Sequence, residues 1–126
     1  MLINMELTLQ NNDSGIFIKN YEHPKIYIKN EVYMSNIIII NNEVIKWTDG
    51  IDLSKVTIND FDNIIKHEPE IILLGTGQIL TIPMQETIEA VNQQGIGLDY
   101  MITESACKTF NLLVSEKRKV AAMLIL

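Results

Sequence analysis

The sequence predicts a three-layer α/β domain (β+α/β/α) with a central mixed, mostly parallel sheet and an N-terminal antiparallel β meander. Residues 71–74 form an unbroken aliphatic run, typical of a strand buried on both faces of a sheet. Helical and strand patterns alternate through the second half, as in parallel sheets with right-handed crossovers. Residues 1–50 instead show short strand patterns separated by turn residues, so we expect them to extend or cover that sheet.

The composition indicates a single globular α/β domain over residues 1–126. Hydrophobic residues make up 47% of the chain and charged residues 21%, a balance that excludes a disordered protein. The net charge of −6 argues against a general nucleic-acid binder, because neutralising phosphates requires a basic patch. The basic cluster at residues 117–119 is interpreted as a solvated helix end, with a phosphate or nucleic-acid contact as the alternative.

The cysteine count and the apolar runs bear on the compartment. Cys107 is the single cysteine, so no internal disulfide can form and a reducing compartment is expected. Residues 1–10 have neither the pattern of a signal peptide nor that of a mitochondrial presequence. No apolar run approaches the roughly 20 residues that a membrane helix needs. We therefore expect a cytoplasmic protein without a membrane span.

The N-terminal half is predicted as a series of short strands. The first elements are a strand at residues 3–9, a turn at residues 11–15 and a short strand at residues 16–18. A hairpin follows, with strands at residues 25–29 and 31–34 and a turn at Asn30. Alternation predicts that one face of this hairpin carries Ile26, Ile28, Val32 and Met34, and the other Tyr27 and Tyr33.

A second hairpin is predicted at residues 35–47. Asn41 and Asn42 form its turn, because asparagine tolerates the left-handed backbone region. Trp47, the only tryptophan, is interpreted as a buried anchor or sheet-covering side chain, with stacking on a ligand as the alternative.

The apolar period becomes helical after residue 50. A helix is predicted over residues 59–67, with candidate N-caps at residues 57–60 and an end before Pro69. His67, in its last turn, is interpreted as a partner of the helix dipole rather than a catalytic or metal-binding residue. The other histidine, His23, is distant in sequence, and no cysteine–histidine spacing suggests a metal site. We predict neither a metal nor a cofactor.

A second helix is predicted to begin with Pro83 in its first turn and to run to about Gln94. Gly95 is the expected residue after its C-cap. Its apolar stripe consists of Met84, Ile88 and Val91. Residues 79–82 are predicted as an apolar linker into this helix.

Residues 98–102 are predicted as another buried strand, followed by a third helix over residues 104–115. Thr103 is the expected N-cap of that helix. The predicted inner stripe contains Ala106, Phe110, Leu113 and Val114. Residues 120–126 are wholly apolar and form the last strand.

Two predicted loops converge at the carboxyl edge of the sheet, where open α/β domains bind ligands. One loop contains Gly75, Thr76 and Gly77, and the other begins the third helix at Thr103 and leads to Lys108. A helix N-terminus with a nearby lysine is suited to an anion. Because three residues are too few for a P-loop or a dinucleotide fingerprint, the alternative is a tight turn beside a helix cap.

Two further residues of the third helix are candidates for this site. Cys107, near the helix N-terminus and beside Lys108, is either a thiol with a lowered pKa or a small buried hydrophobe. A thiol mechanism would need His23 or His67 as its base, and no motif places either of them nearby. Asn111 shares the helix side of Cys107 and Lys108 and is expected to bond a neighbouring loop. No residue is assigned as catalytic.

Several motifs, in order, resemble the Mth938-like domain family, also known as the domain of unknown function 498/598. They are the Leu-Gly-Thr-Gly turn, the proline-started helix, Gly-Ile-Gly, Met-Ile-Thr, the Ala-Cys-Lys-Thr-Phe-Asn-Leu-Leu helix and the Ser-Glu-Lys-Arg-Lys-Val-Ala-Ala segment after it. The resemblance covers residues 16–126. The family includes a mitochondrial assembly factor for respiratory complex I and an adipogenesis-associated protein. It implies a mixed sheet between helices and an antiparallel β layer, and no accepted enzymatic activity.

The chain departs from that family at its first hairpin, where members usually carry glycines and this sequence has Tyr21, Lys29 and Asn30.

The resemblance and the absence of a catalytic motif favour a non-catalytic binding or assembly-assisting module. Such a module would act on a protein partner or as a homo-oligomer. The first alternative is a protein or enzyme that binds a small molecule or anion at residues 75–77 and 103–108. The second is a thiol-dependent enzyme using Cys107.

Overall fold

The computed structural model describes residues 15–126, which form eight strands, three α-helices and two 3₁₀ turns. The strands are β1 (Ile18–Glu22), β2 (Lys25–Ile28), β3 (Glu31–Tyr33), β4 (Ile37–Ile40), β5 (Glu43–Lys46), β6 (Ile71–Gly75), β7 (Gly97–Met101) and β8 (Val120–Leu124). The helices are α1 (Asp62–Ile65), α2 (Gln85–Gln93) and α3 (Thr103–Ser115), and the 3₁₀ turns are Leu53–Lys55 and Ile58–Phe61. The predicted strand at residues 3–9 and most of the turn at residues 11–15 lie outside the described residues.

The central sheet has five strands in the order β5-β4-β8-β6-β7. β6 runs parallel to β7 and to β8, because α2 and α3 each return the chain to the same edge of the sheet. β4 pairs antiparallel with β8, and β5 antiparallel with β4. The sheet is therefore mixed, with its parallel pairs around β6.

Alternating side chains of β6 serve two hydrophobic cores. Leu73 faces α3 and the small sheet of β1, β2 and β3, whereas Ile72 and Leu74 face the side of α1 and α2. All three side chains are fully buried. β6 is thus covered on both faces, and the three-layer α/β fold predicted from the sequence is confirmed.

The N-terminal strands divide between two positions in the fold. β1, β2 and β3 form a separate antiparallel sheet that covers α3, whereas β4 and β5 extend the central sheet. The predicted turn between β4 and β5 is confirmed, since Asn41 and Asn42 have φ angles of 53° and 62°. Trp47 is half-buried and packs against the core on the α2 side.

The predicted faces of the first hairpin are wrong. Ile26 pairs with Tyr33, and Tyr27 pairs with Val32. The reason is the two-residue turn at Lys29 and Asn30, which sets a register one residue away from the expected one. Val32 is consequently 49% exposed, and Met34, predicted on the same face as Val32, is 63% exposed.

Three predictions in the second half also need correction. β7 is an edge strand rather than a buried one, because β8 inserts on the other side of β6. The helix predicted at residues 59–67 begins as the 3₁₀ turn Ile58–Phe61 and has α geometry only at Asp62–Ile65; Thr57 and Asp60 form its capping box. Pro83 precedes the N-cap Met84 and is not in the first turn of α2. Gly95, at φ 82°, follows the C-cap of α2 as predicted.

The basic cluster is the solvated helix end that the sequence indicates. Its three residues are exposed just after α3, and Arg118 Nε donates to Glu70 Oε1 at 2.5 Å. This hydrogen bond and ion pair holds the pKa of Glu70 below its usual value. Within residues 15–126, no helix is long and apolar enough to cross a membrane.

Candidate functional site

The loop after β6 and the start of α3 meet at one edge of the central sheet, as the sequence predicts. The Gly77 N–H donates to the Thr103 hydroxyl at 2.8 Å, and the Thr103 N–H donates to the Gly77 carbonyl at 2.9 Å. The same hydroxyl donates to the carbonyl of Ile125, just after β8, at 2.5 Å. One buried threonine side chain therefore joins three segments of the chain.

The predicted role of Thr103 as an N-cap is wrong. Thr103 is the first residue of α3, and its N-cap is Ile102, which makes no side-chain capping bond. The Thr103 hydroxyl is instead committed to Gly77 and Ile125. A tertiary contact has replaced the local contact that sequence spacing suggested.

Many polar groups of residues 75–77 are already hydrogen-bonded within the fold. The Thr76 N–H donates to the Met101 carbonyl and its hydroxyl to the Ile79 carbonyl, both at 2.8 Å. The Gly75 carbonyl accepts from the Ile125 N–H at 2.9 Å. These contacts describe a firmly held turn, and ligand binding by Gly75, Thr76, Gly77 and Thr103 stays a prediction.

A cleft of about 260 Å³ opens beside this turn. It is lined by Tyr21, His23, Gly77, Gln78, Ile102 and Glu104. Glu104 lies in the first turn of α3, where its carboxylate faces the positive end of the helix dipole. A carboxylate in that position disfavours an anion, so the lining is better suited to a cation or a hydrogen-bond donor.

Lys108 does not reverse this charge. Its ammonium lies 3.8 Å from the Glu104 carboxylate one turn earlier on α3. Both side chains are largely exposed, at 79% and 64%, and an exposed pair of this kind contributes little to stability. The pair can open without a large cost, which leaves Glu104 free to take another cation.

The small sheet contributes Tyr21, a residue of β1, to the lining of the cleft. Its hydroxyl is shielded from solvent and has no hydrogen-bond partner among the described residues. Burial, followed by the nearby Cys107 and Glu104, raises the pKa of this phenol. The hydroxyl is therefore not open to a ligand, although Tyr21 itself is half-buried and lines the cleft.

Cys107 is a buried side chain of the core. It is 5% exposed and belongs to the core between α3 and the two sheets. Burial, assisted by Glu104, raises the pKa of the Cys107 thiol to about 12. A nucleophilic cysteine needs the opposite shift, so this environment favours the interpretation as a small hydrophobe.

Iodoacetamide at pH 8 is expected to label Cys107 in the folded protein at least about a thousandfold more slowly than in urea, because only the thiolate reacts. Cys107 is the single cysteine, so mass spectrometry of the intact chain reports on it alone. Labelling of the native protein at the rate found in urea would contradict this expectation and support the hypothesis of a thiol-dependent enzyme.

Asn111 connects α3 to the small sheet. Its side-chain oxygen accepts from the Ile18 N–H at 2.9 Å, and its side-chain nitrogen donates to the Ile18 carbonyl at 2.8 Å. The sequence predicts a bond to a neighbouring loop, whereas the partner is the first residue of β1. Asn111 thus positions the layer that supplies Tyr21 to the cleft.

The two histidines lie in different places. His67 Nδ1 is 2.8 Å from the side-chain nitrogen of Asn41 in the β4–β5 turn, whereas His23 lines the cleft. Within residues 15–126, no three His, Cys, Asp or Glu side chains are grouped to hold a metal ion.

The predicted range 103–108 includes the cleft residue Glu104, whereas sequence reasoning missed Tyr21, His23, Gln78 and Ile102 as cleft residues. Gln78 and Ile102 directly adjoin predicted site residues, so extending each predicted segment by one position would have found them. Tyr21 and His23 reach the cleft only because the small sheet folds over α3, and no local pattern indicates that.

An exposed apolar segment adjoins the cleft. Gln78, a cleft residue, is followed by Ile79, Leu80 and Ile82, which are 78%, 52% and 60% exposed. We call these three residues the apolar loop. The Thr76–Ile79 hydrogen bond fixes its first residue. Large aliphatic side chains held in solvent this way typically mark a contact surface.

The fold and the cleft define a class of small three-layer α/β domain with a candidate binding site at the carboxyl edge of its sheet. The family model described as "Protein of unknown function (DUF498/DUF598)" matches residues 18–125, and the chain belongs to this family. The resemblance read from the sequence motifs is thereby confirmed.

Two curated relatives carry different names. The "13 kDa major membrane protein" of Francisella tularensis is 33% identical over 122 residues, covering 94% of this chain and 99% of that protein. The "NADH dehydrogenase [ubiquinone] 1 alpha subcomplex assembly factor 3" of Xenopus tropicalis is 28% identical over 112 residues. That match covers 87% of this chain but only 61% of the assembly factor.

Solved structures share the fold. An NMR structure from Xanthomonas campestris is 26% identical with a TM-score of 0.78, covering 99% of this chain and 92% of that chain. A Mth938-like domain from Bordetella pertussis is 19% identical with a TM-score of 0.73, covering 89% of this chain and 86% of that chain. The second match bears on the fold alone.

Proposed function

We propose that this protein is a non-catalytic binding module that assists the assembly of a partner protein through the edge that carries the apolar loop. The observation that carries the proposal is the exposure of Ile79, Leu80 and Ile82 on one short segment. Apolar side chains grouped in this way gain free energy when a partner removes them from water.

The relatives support a role of this kind. Several curated relatives, including the Xenopus protein, are named as assembly factors. This chain spans about 61% of the length of the Xenopus factor. The free Cys107 thiol supports a reducing compartment, and we propose that the module acts in the cytoplasm.

Site-specific photo-crosslinking in the native cells tests this proposal. A photoreactive residue at Leu80 is expected to give discrete crosslinked products that contain a partner protein. Leu112 is the matched control, because it is similarly exposed, at 58% against 52%, and lies about 13 Å along α3 from Thr103. A dimer of the protein itself as the product at Leu80 would indicate a homo-oligomer.

The outcome that contradicts the proposal is a Leu80 pattern equal to that at Leu112, or no product at either position. Circular dichroism of each variant checks that the fold is unchanged. Crosslinking to lipid alone would favour a membrane contact, as the name of the Francisella relative suggests for that protein.

A further inference from the structure

The apolar loop follows a cleft residue directly in the sequence. Gln78 lines the cleft, and Ile79 follows it directly as the most exposed residue of the apolar loop. A segment of a partner that packs on the loop would therefore have a neighbouring side chain at the mouth of the cleft. The chemistry of the cleft then limits which side chain that is.

The cleft offers two groups that attract a cation. Glu104 supplies a carboxylate, and Tyr21 supplies an aromatic ring whose hydroxyl is covered. The other charged group in contact with Glu104 is Lys108, at 3.8 Å in an exposed pair, and the remaining titratable lining residue is His23. An incoming ammonium or guanidinium can take the place of Lys108 on Glu104 and contact Tyr21, which lines the same cleft.

We propose that the cleft and the apolar loop together bind a partner segment in which a lysine or arginine stands beside aliphatic residues. The cation enters the cleft between Glu104 and Tyr21, and the aliphatic side chains pack on Ile79, Leu80 and Ile82. This inference rests on the proposed function and names the chemistry of the partner. The net charge of −6 opposes docking on an anionic membrane and agrees with a basic protein segment.

A displayed library of random nonapeptides, selected on the purified full chain, tests this inference. The wild-type protein is expected to enrich peptides with lysine or arginine next to leucine, isoleucine, valine or phenylalanine. Glu104→Lys is expected to enrich aspartate or glutamate in place of the cation while the aliphatic preference stays. The double variant Ile79→Ser, Leu80→Ser is expected to lose the aliphatic preference.

The matched control is Glu116→Lys, which makes the same charge change at the exposed far end of α3. It is expected to select the same peptides as the wild type. A selected peptide is then compared with its version carrying glutamine in place of the cation. We expect that change to weaken binding about tenfold in the wild type and less than about twofold in Glu104→Gln.

Each alternative outcome separates this inference from the proposed function. Aliphatic enrichment without a charge preference overturns the cation assignment, while the loop stays a docking surface. A cation preference unchanged in Glu104→Lys, or altered equally in Glu116→Lys, also overturns it, because the cation then binds elsewhere. No peptide enrichment, with loop-dependent binding to phosphatidylcholine vesicles, overturns both the inference and the proposed function.

Discussion

Gly75→Ala is expected to lower the free energy of unfolding by about 3 kcal/mol, the upper end of the cost of overpacking a core. A Cβ at Gly75 would lie 2.9 Å from Leu124 Cδ2, 2.9 Å from Thr103 Oγ1 and 3.2 Å from Thr103 Cα. The last contact is with backbone, so the start of α3 must move away from β6. Urea unfolding measures the loss, which is a large fraction of the total stability of a small domain.

Gly97→Ala is the matched control. Gly97 begins β7, and a Cβ there would meet its nearest atom, Ile71 Cγ1, at an ordinary 3.5 Å. We expect its free energy of unfolding to change by less than about 1 kcal/mol. Equal losses for the two variants would show that the close approach of α3 to Gly75 is not what requires glycine.

Thr103→Val is expected to lower the free energy of unfolding by about 2–4 kcal/mol. Valine keeps the shape but leaves the Gly77 N–H and the Ile125 carbonyl without the hydroxyl that joins them. An unpaired buried polar group costs about 1–3 kcal/mol. Urea unfolding measures the total, and faster hydrogen exchange at the Gly77 amide locates the loss in the turn.

Thr103→Ser separates the hydroxyl from the methyl group. Serine retains both hydrogen bonds and loses one buried methyl group, so we expect a loss of only about 1 kcal/mol. A serine variant as unstable as the valine variant would mean that packing of the methyl group, rather than the hydrogen bonds, matters at this position.

The two residues have a common consequence for function. Gly75 allows α3 to approach β6 closely, and Thr103 bonds the following turn to α3. The cleft lies between that turn, α3 and Tyr21, and the apolar loop extends from the same turn. A substitution that disrupts the contact between this turn and α3 is therefore expected to affect both the cleft and the apolar loop, the two parts of the proposed docking surface.

Local sequence patterns were sufficient to predict the structure where the conformation of a residue depends on its neighbours in the sequence. The aliphatic run of β6, the Asn41–Asn42 turn and Gly95 after α2 were all predicted correctly. Each depends on strand burial or on the left-handed backbone tolerance of a few adjacent residues.

Prediction failed where a distant segment decided the outcome. The faces of the first hairpin followed the register set by its turn, and β7 became an edge strand because β8 took the inner position beside β6. Thr103 was predicted as a helix cap, but its hydroxyl is hydrogen-bonded to the Gly77 N–H and the Ile125 carbonyl instead.

The sequence by itself determined the three-layer fold and the meeting of residues 75–77 with the start of α3, because burial patterns and parallel crossovers force these arrangements. The family was indicated separately, by the resemblance of the sequence motifs. Only the tertiary structure decided what that edge presents. The folding of β1, β2 and β3 over α3 places Tyr21 at the cleft and buries Cys107. Neither placement can be predicted from the spacing of nearby residues in the sequence. The physical reason is that solvent access and charge environment are set by whichever segment packs above a residue.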